Sequence, residues 1–440
     1  MLLKRGLQFI GMIMLVICLC GCVLTVDEMY QLPKRSDAYY NLQSSIDQAM
    51  EGMTYCAPLS GENQQSVQMA DLDGDGIQEY ILFAKSNHEK PLRILVFRRI
   101  DDTFVNTDCV ESNGSAFDLV EYVDMDGNGG MEIVVGRQLS DQVIRAASVY
   151  TYSGHELVQL MSANYTKFLT TDLDGNAMSE LFLLRPGVSE TDNGVAELYS
   201  MKNGVMERYN EVAMSQPVDK LKRIIIGKLA GGHTAVFSAS QVGDNALVTD
   251  IFVLDGSALK NVTLSTETGT SVQTLRNYYV YADDIDNDSE VELPYLIGMK
   301  PMSDMILSDT QQLIRWFALT PDGVEIDKMY TYHNFVGGWY IQLQDSWAPR
   351  LMVKNIGQQY DFYIWDESYE STRKVLSVYV LTAQNREEQA QQDGRFILLR
   401  TESTVYAATL DPAAAEYGLT QEYLNYSFRL IQKDWKTGET

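Results

Sequence analysis

Four short segments of this chain set acidic side chains at alternate positions and close on a glutamate. They read DLDGDGIQE from Asp71, DMDGNGGME from Asp124, DLDGNAMSE from Asp172 and DIDNDSEVE from Asp284. In such a turn the side-chain oxygens at positions one, three and five face a common point. Position seven offers a backbone carbonyl, and the glutamate at nine completes the set. A hard cation taking six to eight oxygens at about 2.3–2.6 Å matches this donor chemistry, and the flexible all-protein cage suits Ca²⁺ better than Mg²⁺. The expected ligands are Asp71, Asp73, Asp75 and Glu79; Asp124, Asp126, Asn128 and Glu132; Asp172, Asp174, Asn176 and Glu180; and Asp284, Asp286, Asp288 and Glu292. Glycine at position six permits the sharp turn, and Ala177 and Ser289 replace it in the third and fourth segments. A closing glutamate at nine rather than twelve, with strand-like flanks, separates the pattern from an EF-hand.

The elements that must hold these turns follow from their spacing. The segments start 53, 48 and 112 residues apart, the last being twice 56, and apolar runs follow each: YILF, IVVG, LFLLR and LPYLIG. A period of about 50 residues is the mark of a repeat architecture. The first repeat contains four strand-like runs, SVQMA, EYILFA, RILVFR and TFVNTDCV, broken by Gly, Asn, Asp and Ser. The acidic turn falls between the first and second. The same ruler finds three further units without the acidic ligands, at RIIIGKLAGGHTAVFSAS around Lys228, at GWYIQLQDSWAPRLMVKN and at RFILLRTESTVYAATL near Phe396. Units then begin near residues 66, 117, 167, 223, 279, 339 and 395. Seven four-stranded units predict an all-β, seven-bladed β-propeller over 53–440. Its last unit lacks a fourth strand, and GMTYCAPL, about 53–58, is expected to supply it. Residues 36–52 predict one short helix, with Leu42, Ile46 and Ala49 or Met50 at helical spacing.

With these turns and strands the chain resembles the FG-GAP/VCBS-type repeat proteins, whose fold is similar to the seven-bladed propeller of integrin α-subunits. The resemblance implies that Ca²⁺ sits in the Asp-rich loop between the first two strands of a blade. It is carried by the four acidic loops and extends to the remaining units by period alone. The literal Phe-Gly and Gly-Ala-Pro peptides are not evident.

The N-terminus reads as a targeting segment. Lys4 and Arg5 precede an apolar stretch from Leu7 to Leu19, the order of a secretory signal. Leu19-Cys20-Gly21-Cys22 resembles a bacterial lipobox. The expectation is a signal peptide over 1–21, lipidation of Cys22, a tether over 22–35, and a body held at the extracytoplasmic face of a bacterial membrane. An uncleaved signal anchor over residues 6–26 is the alternative, being just long enough to span a bilayer. Cys56 and Cys109 each stand 15 residues before an acidic segment. They are therefore read as equivalent positions of neighbouring units, too far apart for a disulfide, and as buried or half-buried thiols.

The formal net charge is −26, from 60 acidic and 34 basic residues, which disfavours nucleic acid as a partner. No G-x-S-x-G, H-E-x-x-H or Walker loop is present, and His88, His155, His233 and His333 are scattered. Aromatic residues cluster at Tyr278, Tyr279 and Tyr281 and at Trp339 and Tyr340; they are read as strand packing, and any exposed subset could meet a ligand. The leading expectation is a membrane-tethered, Ca²⁺-binding propeller that binds a protein or a carbohydrate. A surface hydrolase or lyase on the same scaffold, and an assembly scaffold, are the alternatives.

Overall fold

The computed structural model describes residues 37–101, 103–139, 144–189, 191–277, 280–301 and 311–432. The signal stretch, Cys22, the tether, Tyr278 and Tyr279 lie outside them. The strand-forming runs condense into six antiparallel sheets, distributed over two compact bodies.

The first body contains the helix α1 (Asp37–Ala49), β1 (Met53–Tyr55), β2 (Val67–Ala70), β3 (Glu79–Ser86), β4 (Leu92–Ile100) and β5 (Thr103–Ser112). Leu42, Ile46 and Ala49 line one face of α1 at i, i+4 and i+7. They pack on Leu82, Ala84, Leu95 and Phe97. Ser45 fixes the helix by donating to the carbonyl of Phe104 at 2.6 Å. The strand order is β1-β3-β4-β5, and β2 also pairs with β3.

One expectation is corrected here. The segment at 53–58 does not complete a last unit; Met53, Thr54 and Tyr55 pair with Ser86, Lys85 and Ala84 of β3. The reason is length. The four residues of β2 cover only Glu79–Leu82 of β3. The remaining N–H and C=O groups of β3 are left for another strand to satisfy, and β1 takes them. Cys56 extends β1 through its N–H to Phe83 at 2.9 Å, while Cys109 lies on β5 at the far side of the same sheet. The two are free thiols of one sheet, not equivalents in two units, and Cys109 is exposed rather than buried.

The second body begins with residues 58–64 and 71–77 and continues from Gly114. Its sheets are β6 (Ala116–Val123), β7 (Glu132–Gln138), β8 (Arg145–Ser153) and β9 (Glu156–Tyr165); then β10 (Lys167–Thr171), β11 (Glu180–Arg185), β12 (Val195–Lys202) and β13 (Val205–Ala213); then β14 (Leu221–Lys228), β15 (Thr234–Val242), β16 (Ala246–Asp255) and β17 (Ala258–Asn261). The fifth sheet holds β18 (Leu293–Ile297), β19 (Gln311–Leu319), β20 (Glu325–Asn334) and β21 (Trp339–Leu343). The sixth holds β22 (Leu351–Ile356), β23 (Gln359–Trp365), β24 (Thr372–Leu381), β25 (Phe396–Arg400) and β26 (Val405–Leu410). The last strand, β27 (Phe428–Leu430), returns to β21.

Successive sheets pack on one another because their second strands are apolar on both faces. In β11, Leu181 and Leu183 meet Val134 and Val149 of the second sheet. Phe182 and Leu184, on the opposite face by the period-two rule, meet Val236 and Phe252 of the fourth. Phe237 and Ile251 continue onto Leu293 and Phe317, and Tyr332 and Trp339 onto Val353 and Phe362.

Six sheets form among the described residues where seven units were expected. The strands assigned to the seventh, β25 and β26, join the sixth sheet. There β26 pairs with β24 from Leu376↔Leu410 to Leu381↔Val405, and β25 pairs with β26. The open edge of the ten-residue β24 thus takes up the next hairpin instead of standing exposed. No membrane-spanning helix is found among the described residues; none is long and apolar enough.

Candidate metal centres

Each acidic turn precedes a buried strand, and the closing glutamate stands at that strand's start. Glu79, Glu132 and Glu180 are the first residues of β3, β7 and β11, and Glu292 immediately precedes β18. All four are at most 2% exposed. In the first three turns a strand also enters the loop (β2, β6 and β10). In the fourth that strand is reduced to a single bridge, Asp283↔Glu292.

One hydrogen-bond plan recurs in the turns. The first aspartate folds the loop around its own carboxylate. Asp71, Asp124 and Asp172 accept the position-four N–H of Gly74, Gly127 and Gly175 at 2.7–2.8 Å. All four first aspartates accept the position-six N–H, from Gly76, Gly129, Ala177 and Ser289, at 2.8–3.0 Å. The third-position Asp73, Asp126, Asp174 and Asp286 each accept the position-five N–H. Glu132, Glu180 and Glu292 reach back to the position-two N–H of Met125, Leu173 and Ile285 at 2.8–3.0 Å. Position six is left-handed throughout: φ is +83° at Gly76, +87° at Gly129, +69° at Ala177 and +74° at Ser289. The third and fourth loops therefore keep the turn without its glycine.

Loops also bond to loops in the second body. The position-eight N–H of Met131 donates to Asp71 O at 2.9 Å and that of Ser179 to Asp124 O at 3.0 Å. Val291 donates to Lys228 O at 2.8 Å. Lys228 is where the repeat spacing puts a first-position residue in a unit without acidic ligands, so the same loop-to-loop backbone bond forms there without carboxylates.

The consequence is a gathering of charge. Asp124, Asp126 and Glu132; Asp172, Asp174 and Glu180; and Asp284, Asp286 and Glu292 each bring one carboxylate oxygen within 4.8 Å of the others, while in the first turn Asp71 and Asp73 belong to the second body and Glu79 to the first. Oxygens coordinating one ion at about 2.4 Å can stand at most twice that distance apart, so these sets match a single hard cation in size. Position five behaves differently. Asp75, Asn128, Asn176 and Asp288 cap the N–H of position seven at 2.6–2.8 Å, and the two aspartates among them, Asp75 and Asp288, stand outside the gathered sets.

Burial, with neighbouring carboxylates adding to it, makes three of the closing glutamates harder to ionise. Burial raises the Glu132 carboxyl above its ordinary range, against the opposing hydrogen bonds from Met125 and Thr151. Burial, then the neighbouring Asp174 and Asp172 charges, lifts Glu180 to about 7. Burial, with Asp286 and Asp288 adding to it, lifts Glu292 to about 8. The fourth loop gives the sharpest test of fit. Glu292 Oε1 is buried and receives no hydrogen bond, although such an orphan costs about 1–3 kcal/mol. A divalent ion among Asp284, Asp286 and Glu292 is the partner this oxygen lacks, and the donor set fits one.

Two basic residues at these loops were missed by the sequence reading. Arg98 lies 3.7 Å from Glu79 Oε1. Lys328, on β20, donates to Asp288 Oδ2 and to Glu290 Oε2. Arg98 could have been found from the β3–β4 hairpin, where Tyr80 pairs with Phe97; Lys328, about 40 residues from its partners, left no local signal. His333 is buried against Trp316, Phe335 and Tyr340, and none of the four histidines belongs to a metal-ligating group among the described residues. Tyr281, Trp339 and Tyr340 are core residues.

The chain matches no protein-family model and no curated protein. Among solved structures it is similar to an exotype rhamnogalacturonan lyase, YesX, at 14% identity and a TM-score of 0.29. That match covers 74% of this chain and 65% of the lyase, just under two thirds of its length. A rhamnogalacturonan lyase of Bacillus licheniformis gives 13% identity and a TM-score of 0.28 over 73% of this chain and 72% of the other. An exo-beta-1,3-galactanase of Phanerochaete chrysosporium gives 9% and 0.25 over 80% and 76%. At such scores the backbones part over much of the aligned length, and no activity passes from those enzymes to this chain.

Proposed function

We propose that this chain is a membrane-tethered, extracytoplasmic β-propeller of the FG-GAP/VCBS type, stabilised by Ca²⁺, that binds a protein or a carbohydrate. In this reading the sheets are its blades and Cys22 its lipid anchor. The observation that carries it is the fourfold recurrence of one loop plan, which in the second, third and fourth loops gathers three carboxylates around a point, with the Glu292 oxygen left for a cation. Asp124, Asp126 and Glu132, with their counterparts in the other loops, hold the ion; bound there, it neutralises the loop and lets buried glutamates ionise. At an extracellular-type Kd of about 10⁻⁴ M and about 1 mM free ion, each site adds about 1.4 kcal/mol. That is a substantial share of an ordinary net stability.

Two measurements test this. Calorimetric titration of the full chain with Ca²⁺ is expected to show sub-millimolar binding; a flat titration overturns the metal reading. Glycan-array and purified surface-protein panels, run with loop variants, are expected to show specific binding that loop changes abolish. Absence of any such binding removes the recognition reading and leaves a scaffold.

A hydrolase or lyase would find its best location in the first body. A cleft of about 570 Å³ there is lined by Glu51, His88, Glu89, Lys90, Arg93 and Glu111. Glu111, however, is paired with Arg93 at 2.9 Å, which engages one of its carboxylates, so binding is the reading preferred.

A further inference from the structure

The four loops are not electrostatically equal. In the second and third, no basic side chain is paired with the carboxylates among the described residues. In the fourth, an ammonium group is already present. Lys328 projects from β20, its side chain only 17% exposed, onto Asp288 and onto Glu290 at 2.8 Å. Glu290 is itself held by the N–H of Gly231 at 2.8 Å, so that contact is anchored while the one to Asp288 is open to exchange. Asp288 is the fifth-position carboxylate and stays outside the gathered trio of Asp284, Asp286 and Glu292. At the other end of the loop, buried Glu292 Oε1 still has no partner. The loop is thus half neutralised, with a cation of its own on the solvent side and an unmet demand on the buried side.

We propose that Lys328 is a built-in counter-cation of the fourth loop: it keeps the loop folded without metal, weakens that site for Ca²⁺ relative to the second and third, and is displaced from Asp288 when the ion enters. This rests on the reading of the loops as Ca²⁺ sites. It makes the protein graded, with tighter sites occupied first and the fourth responding at higher Ca²⁺. The size of the effect is that of one unit charge a few ångströms from the ion in a partly exposed site, about tenfold in affinity.

The test is a calorimetric Ca²⁺ titration of the full chain as wild type, Lys328→Met, Lys328→Arg, Asp284→Ala, and Lys328→Met combined with Asp284→Ala. Lys328→Met is expected to move one weak site about tenfold tighter, and Lys328→Arg to stay near wild type. In the Asp284→Ala background, Lys328→Met should change nothing. An unmoved isotherm for Lys328→Met, or an effect that survives Asp284→Ala, overturns the proposal while wild-type binding leaves the metal reading intact. Absence of Ca²⁺ binding by wild type overturns both. A second readout needs no variant: Lys328 acetylation in the wild-type chain, followed by peptide mass mapping. Its rate should rise as the weaker site fills, and a rate indifferent to Ca²⁺ overturns the displacement.

Discussion

Single residues set how each loop tolerates its turn. Ala177 and Ser289 hold left-handed φ of +69° and +74°, which costs an L-residue about 1–2 kcal/mol. Glycine relieves that strain at the expense of a floppier unfolded chain. Ala177→Gly and Ser289→Gly are therefore expected to raise stability by up to about 1 kcal/mol in urea unfolding with Ca²⁺ present; lowered midpoints would show that the side chains contribute more than the strain. His333 makes a pH prediction. Burial among aromatic rings depresses its pKa from 6.5 to about 3, so the folded state keeps it neutral while the unfolded chain binds a proton below about 6.5. Its contribution is full above that pH and is lost as pH falls toward 3, at about 1.4 kcal/mol per pH unit. Relative to His333→Phe, wild type should lose about 2 kcal/mol between pH 6.5 and 5. Parallel pH profiles for the two proteins would remove this assignment. At this scale the acidic clusters were legible because donor type and alternation lie within nine residues. Lys328 was not, because its partners are distant in sequence and only the sheet brings them together.

Elements were legible where local pattern and pairing agree. The strand-loop-strand plan at Asp71, Asp124 and Asp172 could be read because turn chemistry and alternating apolar runs coincide there. The fourth loop has a bridge in place of its entering strand, and pattern alone did not distinguish the two. Edge pairing was the least legible, since an edge is satisfied by whichever strand arrives, as β1 does at β3 and β26 at β24. Thr54→Pro tests the first case by removing an N–H from β1. Amide exchange at Ala84–Ser86 should quicken while the β25–β26 pair stays protected. Loss of protection at β26 instead would restore the closing role expected for this strand. In β11, Phe182 is fully buried between the third and fourth sheets, and Phe182→Ala should cost about 3–5 kcal/mol in chemical unfolding.

For the whole molecule, charge is the leading property, and the proposed attachment through Cys22 adds a test of its own. A net charge of −26 includes four carboxylate clusters that repel themselves without a cation. Chelation should therefore lower the melting temperature, and Asp126→Ala should blunt that response by removing one gathered carboxylate. Equal melting with chelator and with Ca²⁺ would exclude a stabilising metal. Cys22→Ser should move the chain from the membrane fraction to the soluble one. Unchanged fractionation would point to the uncleaved anchor over 6–26.

By itself the sequence determined the donor chemistry, the repeat spacing and the all-β character, because each depends on residues near one another along the chain. The tertiary structure alone decided that the described residues form six sheets, that β1 completes the first of them, and that a lysine reaches the fourth loop. Those outcomes depend on which strand covers which open edge and which side chain crosses between strands. Such competition for unsatisfied backbone and charge is settled in three dimensions and leaves no periodic trace in the chain.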